Sequence, residues 1–573
     1  MTDTVANARP ADANPERSLP PMRAEWTSVT AAIFDATRRD PNGRCAADSS
    51  ETRIKEGTED QKELIYLTRQ EVLARAAAIA HVLAPRLDPE AQCVAVLLPP
   101  SLNCTAVNVA LLMLKKIPVN LNFATKSDIV NHCIGVCGAK DAIGIPVLLK
   151  RTKVEPKANV IDAGELKAAV TDEVRAWAAA ALAATPEEQA KHFPGLTAAL
   201  DDVAAIIFTS GSTNLPKGVE HTHRSLLSNV RGVQAMFAFG IEKLLAAGPA
   251  FHVMGFTGCI VAPLALGKDT NAEGEERSIT VVYHANPLDA KTICALIQSE
   301  QITLFLSIPS MMRMYVARAT KEQFASLKHV ILGAEKLEEP LRVELKERFG
   351  IDAEEAFGCT ELGPLASANV NAWVEIGGKK IWGNRPGSVG LMMPDTCVKI
   401  LDMNTNQELP RGEKHFGWIM LWGPQRMLQY SNNPAKTAEA LKDGWYFPGD
   451  YGYVDEDGFL WFLGRLVIKS AGEMIPPLAV RGKILEICGV DESQLYVVGA
   501  KDTKRGERPA VLYVSLGGKT PAEITAALQD KIPALWIPKA NDYAQVDALP
   551  VGPTGKLDLV ALNNLAAEKF AAE

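Results

Sequence analysis

Residues 206–223 read IIFTSGSTNLPKGVEHTH. The apolar run 204–208 has the pattern of a buried strand. It breaks into Thr209-Ser210-Gly211-Ser212-Thr213 and then Pro216-Lys217-Gly218. Hydroxyls, a glycine that admits a ligand close to the backbone, and a lysine are what polyphosphate binding asks for. The stretch is not a Walker loop, because Pro216 stands where a glycine should precede the lysine and no second Ser/Thr follows it. A Ser/Gly/Pro cluster also marks ordinary turns, so its meaning depends on what surrounds it.

At 573 residues the chain has room for about three or four compact units of common size. Hydrophobic residues at 47% and charged residues at 22% fit a soluble globular protein with ample core. A net charge of -8 argues against a nucleic-acid binder held by phosphate neutralisation. No window reaches the roughly 20 uninterrupted apolar residues of a membrane span. The nearest, 94–114, is broken by Pro99-Pro100, Asn103 and Asn108. The N-terminus is polar and proline-rich with no apolar signal core, so residues 1–25 are expected to be a disordered tail. The ten cysteines are scattered with no CxxC pair, which points to a reduced, cytoplasmic protein whose membrane contact, if any, is peripheral.

Residues 64–84 carry apolar side chains at helical spacing (Val72, Leu73, Ala76, Ile79, Ala80, Leu83), opened by Thr68 as N-cap. Residues 93–98 read as a buried strand, 106–114 as a buried helix and 141–149 as another strand. This alternation predicts a largely parallel α/β layer. Residues 165–192 are alanine-rich and amphipathic, the pattern of a surface helix. The run AGPAFHVMG (247–255) places His252 just past an apolar strand end, where an α/β sheet opens its ligand crevice. A histidine packed in the core fits that position equally well. VILGAEKL (330–337) and EEAFGCTELG (354–363) each run from an apolar strand into glycine and polar residues. In the second, Glu361 follows Thr360, an oxygen ligand for a hard cation beside a hydroxyl.

From about 440 the chain is glycine-punctuated and β-rich. Asp457-Gly458 between apolar runs is a hairpin signal, and the carboxylate of Asp450 would suit two ribose hydroxyls. After Arg465 the texture changes. Residues 466–573, with strands at 494–498 and 510–514 and a helix at 521–528, suffice for a small separate domain. It ends in PVGPTGK (550–556), presenting Lys556.

The order and spacing of these motifs resemble the adenylate-forming enzymes: acyl-CoA synthetases, luciferases and the adenylation domains of peptide synthetases. The resemblance is carried by LLPPSLN (97–103), IPVNLN (117–122), GAEKL (333–337), SAGEMI (470–475) and GPTGKLD (552–558), and runs from about Leu67 to Leu557. Within that superfamily the chain looks most like acyl-acyl-carrier-protein synthetases and long-chain fatty acyl-CoA ligases, including the ligase half of the bacterial 2-acylglycerophosphoethanolamine acyltransferase/acyl-ACP synthetase. The implied fold is α/β. A large N-terminal adenylate-forming domain (26–465) combines layered α/β subdomains with a β-rich one, and a small mobile α+β C-terminal domain (466–573) follows. The implied reaction has two steps. A fatty acid attacks the α-phosphorus of ATP to give acyl-AMP and pyrophosphate, and a thiol, of CoA or of a carrier protein's phosphopantetheine, then displaces AMP. The first step brings two anions together, so cations and oriented N–H groups must offset their repulsion.

The resemblance also implies roles for residues. Thr209, Ser210, Gly211, Ser212, Thr213 and Lys217 would hold the β- and γ-phosphates, and Thr213 with Glu361 would position Mg²⁺. Thr360 would touch the α-phosphate. Gly333, Ala334 and Glu335, with Phe357, would frame the adenine, while Asp450 and Arg465 would fix the ribose. Lys556 would bridge the substrate carboxylate and the α-phosphate. His252 would gate the acyl pocket between the two steps. Val253 and Met254 follow His252 where amino-acid-activating relatives place an aspartate, so a fatty acid is expected rather than an amino acid.

Three departures stand out. Asn214 replaces a usual glycine in the phosphate loop, and Pro448 a usual hydroxyl residue before Gly449-Asp450. After Gly464-Arg465, Leu466-Val467-Ile468 replaces the charged hinge, the segment to Gly472 is about two residues short, and Arg481 stands where a glutamate is common. These leave two other outcomes open: an acyl-AMP passed to a non-thiol acceptor such as a lysophospholipid, or a catalytically impaired nucleotide- or acyl-binding protein. An HxxxxD signature at 284–289 reads as chance. Lys501, Lys504, Arg505 and Arg508 form a basic cluster that could meet an acidic carrier protein or be a solvated turn.

Overall fold

The computed structural model describes residues 9–570 except 11, 14, 20, 56–60, 210–214, 238–241, 271–274, 404, 465–467, 471–472, 476, 503–505, 530 and 552–558. The chain divides into two compact units. One comprises Met1–Ser210, Leu215–Cys397 and Trp422–Tyr446, the other Val398–Leu421 and Phe447–Glu573.

The first unit holds a nine-stranded sheet whose interior is parallel. Its middle strands run in the order Glu354–Gly358, His329–Gly333, Leu304–Ser307, Lys243–Ala246, Thr280–Tyr283 and Arg44–Ile54. His329–Gly333 is buried at every position, as expected where helices cover both faces of a parallel sheet. A second, four-stranded sheet (Ile117–Asn120, Cys93–Leu97, Asp141–Gly144, Asn159–Asp162) is parallel throughout. A third has three antiparallel strands: Val203–Phe208, Gly218–Thr222 and Gln429–Tyr430.

Local chemistry sets the element ends. Thr68 caps the helix Arg69–Leu83 with a reciprocal bond from Glu71. Ser101 caps Leu102–Met113, which starts earlier than the apolar run suggests. The strand expected over 141–149 stops at Gly144, because Pro146 opens the helix Pro146–Thr152. The single surface helix expected over 165–192 is instead three: Ala163–Ala169, Asp172–Ala183 and Pro186–His192. Thr171 and Thr185 are the reason, since each turns its hydroxyl back on the next helix's N–H groups. The segment expected as a loose tail is tied down at a few points of its described part. Ala13 is buried, the Asp395 N–H donates to the Arg17 carbonyl at 2.8 Å, and the Leu19 N–H donates to the Asp395 carboxylate at 3.1 Å.

In the second unit, Tyr451–Val454 and Leu460–Gly464 form the expected hairpin. Asp455 holds its turn by accepting from the N–H groups of Asp457 (3.1 Å) and Phe459 (3.0 Å). Further on, Leu495–Asp502 and Gly506–Tyr513 pair antiparallel. Alternate residues face opposite ways: Val497 and Val511 pack with Val480 and Ile484 of Pro477–Cys488, whereas Val498 and Leu512 pack with Leu562 and Ala566 of Leu559–Lys569. Arg481 donates to the Leu495 carbonyl at 3.0 Å and stacks on Tyr496, so it ties helix to strand. No helix among the described residues is long and apolar enough to cross a membrane.

Candidate functional site

The strand Val203–Phe208 turns back antiparallel into Gly218–Thr222, and the feet of the intervening loop are clamped. The Thr209 N–H donates to the Lys217 carbonyl at 3.0 Å, and the Lys217 N–H donates to the Thr209 hydroxyl at 3.3 Å. His132 adds a ring N–H to the Pro216 carbonyl at 3.0 Å. Ser210, Gly211, Ser212 and Thr213, together with Asn214, lie outside the described residues.

Beside these feet stands Tyr430, on the outer strand of the same small sheet. The Lys217 ammonium lies 4.1 Å from the centre of its ring, within cation–π range. Its phenol donates to Glu361 Oε1 at 2.6 Å. Burial, and then the Glu361 charge, drive the Tyr430 phenol far above its usual range, so it stays protonated and keeps its proton for the carboxylate. Tyr446 is pushed well up too, first by burial and then by Cys359, Glu361 and Tyr430 around it.

Glu361 and Thr360 sit in a single 3₁₀ turn, Thr360–Leu362, that ends on Gly363 at φ +67°. His221 on Gly218–Thr222 supports it: its Nε2–H donates to the Thr360 carbonyl at 2.8 Å, and Nδ1 faces the Ser225 hydroxyl at 3.2 Å. Burial lowers the His221 pKa to about 4, keeping the ring neutral. Asn229 donates to the carbonyls of Leu362 and Leu365 at 3.0 and 3.1 Å. Thr209, Lys217, Thr360 and Glu361 thus come together through Tyr430 and His221. Neither of these two was singled out from the sequence. Gln429–Tyr430 is too short a strand to show alternation, and His221 lies in a motif that draws the eye to its lysine.

Gly333 and Ala334 end one parallel strand beside Ala356 and Phe357 on the next, with Gly333 in register with Ala356. Ala334 is held at φ +65°. Glu335 turns its carboxylate to Ser310, accepting from the backbone N–H at 2.9 Å and the hydroxyl at 3.1 Å. Its side chain therefore anchors the helix Pro309–Val316. Glu355 accepts from the Leu337 N–H at 3.1 Å, and burial raises its pKa to about 7.

His252 opens a π-helical segment, Met254–Val261. Its N–H donates to the Pro249 carbonyl at 3.0 Å, and its Nδ1 accepts from the Met254 N–H at 3.4 Å. A Cβ on Gly255 would fall 2.1 Å from the Pro249 oxygen, so the turn closes only on glycine. In the second unit Asp450 is buried, following Gly449 at φ +77°. Arg465, Lys556 and most of the hinge segment lie outside the described residues. Of the basic cluster, Lys504 and Arg505 do too, and Arg508 is committed to Asp542 at 2.7 Å. In the HxxxxD signature, Asp289 caps the helix Ala290–Ser299 through Thr292 and stands 4.0 Å from His284.

Glu361 offers one carboxylate, and no described cluster of three metal-ligating side chains exists. Such a site fits a magnesium ion held chiefly by substrate phosphates and water rather than by an all-protein cage.

A family model described as AMP-binding enzyme matches residues 45–431. Asp450, Arg465 and Lys556 fall beyond that match. The long-chain-fatty-acid–CoA ligase of Bacillus subtilis (strain 168) is 31% identical over 370 residues, 62% of this chain but only 60% of the relative. A feruloyl-CoA synthase of Amycolatopsis sp is 29% identical over 374 residues, 64% of this chain and 70% of the relative. Among solved structures, ATP-bound MatB from Rhodopseudomonas palustris superposes with a TM-score of 0.74 at 21% identity, covering 95% of this chain and 99% of that one.

Proposed function

The chain belongs to the AMP-binding enzyme family, and on that premise we propose that it activates a fatty acid as acyl-AMP and transfers the acyl group to the thiol of CoA or of a carrier protein's phosphopantetheine. The observation that carries this reading is the Tyr430–Glu361 hydrogen bond beside Lys217. It assembles a cation and an oriented carboxylate at the foot of a hydroxyl-rich loop.

A free carboxylate has no good leaving group, whereas AMP leaves readily. Its attack on ATP places negative charge where more is already present, so the protein must supply preorganised positive charge. In this reading Lys217 holds the outer phosphates, kept in place by the Tyr430 ring. Thr360 presents its hydroxyl to the α-phosphate from a turn that neutral His221 supports. Glu361 and Thr213 would hold magnesium, whose charge would offset that of the triphosphate. Gly333, Ala334 and Phe357 frame the adenine, with Glu335 contributing backbone. Asp450 and Arg465 fix the ribose. Lys556, from a C-terminal lid beginning near residue 466, bridges the two reacting anions.

The run His252-Val253-Met254 offers no carboxylate to an ammonium, which supports a fatty acid over an amino acid. With Arg508 engaged by Asp542, less of the basic cluster remains for a carrier protein. The test is AMP production from ATP with a panel of fatty and aromatic acids, each with no thiol, CoA, pantetheine or acyl carrier protein. AMP and thioester from a fatty acid support the reading. ATP left intact with every acid refutes it, and AMP without thioester refutes its second half.

A further inference from the structure

We propose that Cys93 and Cys137 form a reversible oxidation site, which a peroxide closes to a disulfide and which acts on the loop foot at Pro216-Lys217 through the helix that carries Cys137. The pairing and its effect on that foot need no nucleotide; only the effect on turnover rests on the function proposed above. Of the ten cysteines, eight are buried and only Cys137 and Cys359 are half-exposed, so a small oxidant reaches these two first. Cys137 is the last residue of the helix Ser127–Cys137, and Cys93 is the first of the strand Cys93–Leu97. Their sulfurs lie within hydrogen-bonding reach of each other. Cys133, one turn before Cys137, packs with Cys93 in the same apolar cluster, and no group of three such side chains among the described residues could hold a metal ion. The cluster therefore suits thiol chemistry rather than zinc.

The two thiols are unequal. The hydrogen bond from Cys93 holds the Cys137 thiol below its usual range, against the effect of burial. Cys93 is driven far up by that same bond and then by burial, and burial lifts Cys133 to about 12, which leaves it inert. The Cys137 thiolate attacks one peroxide oxygen, breaking the O–O bond to give a sulfenic acid and hydroxide, which takes up a proton as water. Cys93 then displaces hydroxide from the sulfenic sulfur, and its own proton leaves with that hydroxide as a second water. The two thiols lose two electrons and two protons, and the peroxide gains them.

The helix carries the change to the loop. Its His132 bonds the Pro216 carbonyl at 3.0 Å, and its Val136 carbonyl accepts from the Asn432 side chain at 2.7 Å. Pro216 precedes Lys217, and Asn432 stands two residues after Tyr430. Gly138 ends the helix at φ +66°, with open space where a side chain would stand. The last turn can therefore follow Cys137 when the S–S bond draws it against the strand. Residues 132 and 136 shift with it, and the bond to Pro216 loosens.

The purified full chain is treated with hydrogen peroxide, digested without reduction and mapped by mass, and amide hydrogen exchange is followed before and after treatment. The oxidised protein should be two hydrogens lighter and yield a linked Cys93–Cys137 peptide. Amides of residues 215–219 should exchange roughly three- to tenfold faster, the loss of one ordinary hydrogen bond. Dithiothreitol should reverse all three changes, and Cys137→Ala should show none of them. ATP–pyrophosphate exchange at limiting ATP should fall by a similar factor in oxidised wild type and hold steady in Cys137→Ala. Peroxide that leaves both thiols unlinked, joins other cysteines or leaves the 215–219 amides unchanged overturns the proposal. So does a loss of ATP–pyrophosphate exchange that persists in Cys137→Ala, since the sensitive thiol is then Cys359. A chain that consumes no ATP with any acid refutes the function proposed above, while the mapped disulfide and the amide rates still decide this site. Should Cys137→Ala misfold, wild type mapped with and without dithiothreitol decides: a reversible Cys93–Cys137 link with faster 215–219 exchange supports the proposal, and the lack of either overturns it.

Discussion

The Tyr430 phenol donates to the Glu361 carboxylate at 2.6 Å, joining a strand that ends the matched region to the turn that carries the proposed metal ligand. Because burial and the neighbouring charge keep that phenol protonated, the bond has one direction and fixes the carboxylate's rotamer. Tyr430→Phe removes the bond while keeping the ring under Lys217. A hydrogen bond to a charged group is worth about 1.5–3 kcal/mol, so ATP–pyrophosphate exchange should fall roughly 10- to 100-fold. Raising magnesium should recover part of the loss, whereas raising the acid should not. Full activity in this variant at limiting magnesium would remove Tyr430 from the site.

Lys556→Ala removes the cation proposed to meet both reacting anions. Loss of one preorganised donor typically costs about 10²- to 10³-fold in rate, so adenylation should collapse. The thioester-forming step, started from synthetic acyl-AMP, should be far less affected. The comparison of the two half-reactions in one variant is the measurement.

Gly255→Ala places a methyl carbon against the Pro249 oxygen, the same oxygen that accepts the His252 N–H. The turn must open, which shifts His252 and the helix behind it. Overpacking of this kind costs about 1–3 kcal/mol. The melting temperature should fall, and the preference among acids of different length should change with it.

Stability should peak near pH 6.5. Burial lowers His221 and His223 from 6.5 to about 4 and raises Glu355 from 4.5 to about 7. Between pH 4.5 and 6.5 the unfolded chain carries two histidine protons that the folded chain lacks, and the folded chain carries one on Glu355 that the unfolded chain lacks. Unfolding therefore takes up a net proton, and stability rises with pH by about 1.4 kcal/mol per unit. Between 6.5 and 7 only Glu355 remains, and stability slips as pH rises. Melting temperatures across this range check the shape. Glu355→Gln should abolish the decline above 6.5 and steepen the rise below it, since unfolding then takes up two protons instead of one.

The parts of the fold written in local pattern were legible. Thr68 and Glu71 announce a helix start in four letters, and Asp457-Gly458 announces a hairpin. Where two short signals competed, the longer apolar run misled: Pro146 ended a strand that 141–149 otherwise promised, and Thr171 and Thr185 divided what alanine content made look like one helix. At the candidate site, Lys217 stood out through the hydroxyl- and glycine-rich stretch it closes, whereas Thr360 and Glu361 acquired roles only through the family resemblance. Tyr430 and His221 could not be picked out, because each acts through a partner 69 and 139 residues away respectively, and no local pattern records that distance. The packing of Arg17 and Leu19 against Asp395 was hidden for the same reason.

Gln429–Tyr430 completes the small sheet by pairing with Gly218–Thr222, and the Gln429 amide meets Glu220 across 209 positions of chain. On the ribosome, the first two strands of that sheet emerge long before the third. A nascent chain therefore carries the hydroxyl-rich loop through some 209 further positions of synthesis without the aromatic support beneath its lysine or the phenol that orients Glu361. In the proposed reading, competence to adenylate cannot precede translation of Tyr430, and it waits further still for Lys556.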